Sequence, residues 1–181
     1  LPFRAARPTN LPELNVAVFA SLLSFPWEFL QVPFYRELST APHWDAILEC
    51  LPHIAADAVI GVVAFWAASA VEGSRWWIVG PTPRGVGAFL LTGLLVTVAV
   101  EWHAVYVAGR WAYAPAMPIV PGLGVGLLPV LQPTVLLPAV VWFVQRQLHG
   151  SPTALGNSQT PPNRSARDSE PLRPNSRRRG Q

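Results

Sequence analysis

Lysine is absent from the chain, cysteine occurs once, and charged residues make up only 13% of the 181 positions. A soluble domain of this size carries about a quarter charged residues, so the deficit argues against an ordinary water-soluble enzyme. The lone Cys50 has no partner for an internal disulfide and excludes a Cys-x-x-Cys zinc site. With His53 three residues on, Cys50 still reads better as an inert buried thiol than as a reactive thiolate. What is abundant is apolar: 51% of the residues, gathered in blocks. The net charge of +3 averages an arginine-rich tail, Asn163 to Arg179, with a nearly uncharged body.

A membrane-crossing helix needs about 20 mostly apolar residues, and four windows supply them. They run from Leu14 to Tyr35, Leu51 to Val71, Val86 to Tyr106 and Ile119 to Phe143. Pro26, Pro129, Pro133 and Pro138 fall inside these windows, where packed neighbours can serve the carbonyls that proline frees. Asn10-Leu11-Pro12-Glu13 has the form of a helix start, with a capping side chain, an early proline and an acid three residues after the cap. Between the first two spans, Pro42 to Cys50 is too polar to cross but places Trp44, Ile47 and Leu48 at helical spacing and predicts an interfacial helix. From Gly150 onward the composition is Ser, Pro, Asn and Arg, which cannot offset chain entropy by burial, so a disordered tail is expected. The fold expected is all-α: a four-transmembrane-helix bundle over residues 1–149, followed by an arginine-rich tail over 150–181.

Arginines in the loops set the orientation. The side shared by the two termini and the loop after span two holds Arg4, Arg7, Arg75, Arg84 and Arg146 before any tail residue is counted, while the opposite side holds Arg36 and Arg110. Both termini are therefore expected in the cytoplasm, with the chain multi-pass in a bacterial inner membrane. Trp27, Tyr35, Trp44, Trp102, Tyr106 and Trp111 would form the outer aromatic belt, and Trp76, Trp77 and Trp142 the inner one. The tail arginines are explained by this rule and by anionic lipid, so no nucleic-acid partner is expected.

Polar residues inside the spans carry the functional signal. An ionised side chain at a span's centre costs about 2.5 to 3.5 kcal/mol on insertion, against a gain of about 0.3 to 0.6 for a Leu or Val. Glu28, Asp57 and Glu101 would each lie roughly 8 to 11 Å below the outer ends of their spans, so three carboxyls from three helices should share one layer. Glu49, His53 and Asp57 follow i, i+4, i+8, which lets His53 bridge the two acids. Thr97 stands one turn before Glu101, Gln31 shares a face with Glu28, and Gln132 should hydrogen-bond a neighbouring helix. An acid paired with Arg110 and a neutral proton donor both remain open. Gly122 and Gly126, like Ala64 and Ala68, have spacing suited to close helix packing, within the chain or in a homo- or hetero-oligomer. No His-Glu-x-x-His or Glu-x-x-His spacing occurs, and no metal or cofactor is expected.

Glu101 to Tyr113 (EWHAVYVAGRWAY), followed by Gly126-Leu127-Leu128-Pro129, resembles the conserved segment of the small membrane-type lycopene cyclases. In that family an acid precedes G-x-x-x-Y, and a G-L-x-P turn opens the next helix and is followed by an acidic pair. The resemblance covers about 30 residues and carries over Glu101, Gly109 and Tyr113; Val130, Leu131 and Gln132 stand where the acidic pair would be. It implies acid-initiated chemistry on a long polyene without redox change. The functional expectation is a protein binding or modifying an apolar isoprenoid-like lipid in a polar-lined pocket in the outer half of the bundle. Glu28, His53, Asp57 and Glu101 are the candidate acid–base groups, and Gln31, Thr97, Arg110, Trp111, Tyr113 and Gln132 the candidate substrate contacts. A non-catalytic membrane scaffold or assembly subunit is the alternative, and a proton-coupled transporter the third.

Overall fold

The computed structural model describes residues 11–149; the cap at Asn10 and the tail from Gly150 lie outside them. The described chain is all-helical: α1 (Pro12–Gln31), α2 (Arg36–Ser39), α3 (His43–Glu72), α4 (Pro83–Trp102) and α5 (Leu127–His149). Four of these, with their short extensions, are long and apolar enough to cross a membrane, which makes the chain a multi-pass membrane protein. The helices form a four-cornered bundle in which α1 and α4 each pack against both α3 and α5. One end holds the start of α1, the α3–α4 turn and the end of α5, joined by the Arg75 to Glu13 ion pair at 2.6 Å and the stacked rings of Phe19 and Phe143. At the other end α1 finishes, α3 and α5 begin, and α4 gives way to the long connection to α5.

Local chemistry sets the helix ends. Pro12 and Pro83 occupy first-turn positions, where a missing N–H costs nothing. The Thr82 hydroxyl caps α4 by accepting from the Gly85 N–H at 3.0 Å, and Gly73 closes α3 in the left-handed region at φ 67°. The helix expected over Pro42 to Cys50 forms, but as one piece with the span that follows. Residues 43–50 are the start of α3, which continues through Pro52 for 30 residues, or about 45 Å, against about 30 Å of hydrocarbon. Pro52 and Leu48, whose carbonyl loses its helical donor, are both exposed, so the break in the ladder faces away from the bundle.

The fourth span also begins later than hydropathy indicates, at Leu127 instead of Ile119. Residues 118–126 fold back on themselves: the Val120 N–H donates to Val125 O and the Leu127 N–H to Pro118 O, at 2.8 and 2.7 Å. Gly122 and Gly124 sit there at φ 81° and 73°, a turn conformation that replaces the helix-packing role expected for Gly122. Ala64 and Ala68 do serve close packing, fully buried inside the bundle with Phe65, Phe89 and Val140. Gly61 brings α3 against α1, since a Cβ there would stand 3.4 Å from that of Ala20.

Candidate functional site

Gln132, one and a half turns into α5, is 6% exposed and points its amide at two other helices. Its Nε2 donates to the Asp57 carboxyl on α3 at 2.5 Å, and lies 3.3 Å from Glu28 Oε1 and 3.5 Å from Ser24 Oγ on α1. Glu28 is 5% exposed and receives a second donor, Gln31 Nε2, at 2.8 Å. One amide therefore ties α5 to both α1 and α3 through two carboxyl groups. His53 Nδ1 approaches the other Glu28 oxygen at 3.7 Å, and its half-buried ring meets the edge of Trp111 at 5.1 Å. His53 thus bridges toward Glu28 and Trp111, not between Glu49 and Asp57 as the helical stripe suggested; Glu49 is exposed.

Glu101 occupies a second compartment of the same end. Tyr35 donates to its Oε1 at 2.7 Å, while Tyr113 and the Trp111 indole donate to Oε2 at 2.9 and 3.2 Å. Three donors on one carboxyl make a rigid cage. Burial beside Glu101 pushes both phenols above the usual tyrosine range, so they persist as donors. The cage is assembled by backbone: the 111–114 segment pairs with the junction between α1 and α2 through Arg36 N–H to Ala112 O and Ala114 N–H to Phe34 O, each at 2.9 Å. Glu37 adds a contact from its carboxylate to the Ala112 N–H at 3.0 Å. Immediately after Glu101 the helix widens into a π-helical turn, His103–Val107, which redirects the chain toward this segment.

The expected single layer of three acids is thus a pair, Glu28 and Asp57, with Glu101 displaced toward the loop end. Thr97, four residues or about 6 Å earlier on α4, is the α4 residue level with Asp57. Thr97, Asp57, Ser24 and Gln132 line a cavity of about 20 Å³ among otherwise apolar neighbours such as Ala20 and Leu137. That space admits a water molecule and not a lipid chain. Arg110 is exposed and forms no ion pair there, so the acid-to-arginine pairing left open by the sequence is not made. Among the described residues, no set of three His, Cys, Asp or Glu side chains converges as metal ligands.

Two contributors escaped the sequence reading. Tyr35 has the profile of an interfacial belt residue, and its role depends on Glu101, 66 positions away. Ser24 looks like any small polar residue in a span; only its i, i+4 relation to Glu28 hinted at a shared face. No protein-family model, curated protein or solved structure matches this chain.

Proposed function

We propose that this chain binds an apolar, isoprenoid-like lipid and acts on it by acid–base chemistry at the Glu28 and Asp57 pair. His53 would be the proton partner and caged Glu101 an orienting carboxylate. The observation that carries this reading is the sharing of one uncharged amide donor, Gln132, by two carboxyls from different helices. Retaining two such costly groups within apolar spans calls for a use, and paired carboxyls exchanging a proton are what general-acid work on an alkene requires. The lipid would approach where the cluster meets the surface, at His53, whose side chain is 35% exposed beside Trp111.

The resemblance to the lycopene cyclases supports the same chemistry. Gly126 to Pro129 lie at the opening of α5, as that motif implies, and Gln132 follows where an acidic pair would stand. In this chain Asp57 and Glu28 bring carboxyls to that place from α3 and α1. Arginine placement further supports cytoplasmic termini in a bacterial inner membrane, with the acids in the outer half. The small cavity favours a second reading, a non-catalytic scaffold whose acids are interhelical glue.

Mass spectrometry of lipids retained by the purified chain separates the two. The enzyme reading expects an isoprenoid-like species enriched over bulk lipid, and its loss or exchange in Asp57→Asn and Glu28→Gln variants that still fold. Identical bulk lipid in all three proteins would leave the scaffold.

A further inference from the structure

Four helices line a partly open cavity of about 20 Å³, and each contributes one polar side chain: Ser24 from α1, Asp57 from α3, Thr97 from α4 and Gln132 from α5. A single water needs about 10 to 15 Å³ of such space and 2 to 4 polar partners, so both size and lining fit one molecule. A cavity lined by apolar groups alone stays dry, whereas here four polar side chains interrupt an otherwise apolar wall. The second, independent sign is Thr97. A threonine within a helix commonly returns its hydroxyl to the carbonyl one turn back, as Ser21 and Ser69 do here at 3.0 and 2.8 Å. The Thr97 hydroxyl makes no such bond and no other among the described residues, although Thr97 is half-buried within an apolar span and faces this cavity. An unserved hydroxyl in hydrocarbon surroundings costs about 1 to 3 kcal/mol.

We propose that this cavity binds one ordered water molecule, which accepts from or donates to Thr97 and connects it to the Asp57 carboxyl. The water is the link from α4 to a network that otherwise joins only α1, α3 and α5 through Gln132. A sodium ion fits the lining less well, because the Gln132 amide nitrogen turns its two donor hydrogens toward Asp57 and Glu28. The functional consequence is that Asp57 has a proton-carrying neighbour besides Gln132. This inference stands on the cavity and its lining, independently of the lipid reading.

The test is crystallographic, with the full chain grown in a lipid mesophase as wild type, Thr97→Val and Thr97→Ser. The expected result is a solvent peak within hydrogen-bonding distance of Thr97 Oγ1 and the Asp57 carboxyl in the wild type, kept in Thr97→Ser and lost in Thr97→Val. Absence of that peak in the wild type, its persistence unchanged in Thr97→Val, or xenon entering the wild-type site under pressure would overturn the proposal. So would a melting temperature that rises with sodium chloride but not with choline chloride, which would mark a cation instead. If Thr97→Val does not fold, the wild-type map and the xenon experiment still decide.

Discussion

Replacing Gln132 with leucine keeps the side-chain volume nearly constant and removes one amide, so the change isolates the hydrogen bonds from packing. The two acids are not equally affected. Glu28 keeps the Gln31 donor at 2.8 Å, whereas Asp57 loses the shortest contact of the cluster. In membrane bundles interhelical hydrogen bonds average about 0.6 kcal/mol and reach about 1.7 at best, because chains unfolded in the bilayer also find partners. The Asp57 bond belongs at the upper end, and weakening the service of a half-buried carboxyl that still has Ser24 beside it adds up to about 1 kcal/mol more. Gln132→Leu should therefore lose about 2 to 3 kcal/mol of bundle stability. Gln31→Leu makes the contrast: Glu28 retains Gln132, and the substitution also removes Gln31 Oε1, a buried oxygen with no partner. Its cost should lie near zero. Unfolding of the purified chain in mixed detergent and lipid, followed by circular dichroism, measures both. A Gln31→Leu protein as unstable as Gln132→Leu, or a Gln132→Leu protein as stable as wild type, would refute the assignment of Gln132 as the pin of the cluster.

The Glu101 cage gives two further expectations. Tyr35→Phe removes the donor to Glu101 Oε1 and should destabilise by about 1.5 to 3 kcal/mol, more than Tyr113→Phe, because Trp111 still serves Oε2 when Tyr113 is lost; equal losses in thermal melts would contradict the cage geometry. Both phenols are held above the ordinary tyrosine range, so they should remain un-ionised at about pH 10 to 11, where an unfolded tyrosine ionises. A folded-state pKa raised above the unfolded one contributes stability that is complete below the unfolded value and is lost as pH climbs above it toward the folded one. Folding free energy should accordingly fall above about pH 10, and in a Tyr106→Phe background, where Tyr35 and Tyr113 are the remaining tyrosines, tyrosinate absorbance should rise only on unfolding. Ionisation of Tyr35 and Tyr113 in the folded protein at the ordinary pH would oppose this.

Much of the architecture is legible in the sequence because hydropathy and the cost of charge act over single windows. Four apolar runs predict four spans, and the rarity of Glu28, Asp57 and Gln132 within them singles out the residues that do meet. What the windows cannot register is partnership at long range. Pro118 to Gly126 is apolar enough to read as helix, yet its carbonyls and N–H groups pair across a turn made by Gly122 and Gly124 in the left-handed region. The continuity of α3 through Pro52 depends on which way that proline faces, and periodicity in a uniformly apolar helix does not say. Trp111 and Tyr113 were within reach of motif reading, but Tyr35 gains its role only when residues 111–114 pair beside it. The partners of Glu101 are hidden for a related reason: Tyr35, Trp111 and Tyr113 lie outside α4 and reach its carboxyl only through the folding of the connections.

Infrared difference spectroscopy of the carboxyl stretches, with the chain in lipid, probes the shared Glu28 and Asp57 site most directly. If the two acids are joined through Gln132, Asp57→Asn will shift the Glu28 band, Glu28→Gln will shift the Asp57 band, and Gln132→Leu will move both while leaving the Glu101 band in place. Bands for Glu28 and Asp57 that ignore each other's substitution would contradict a common site.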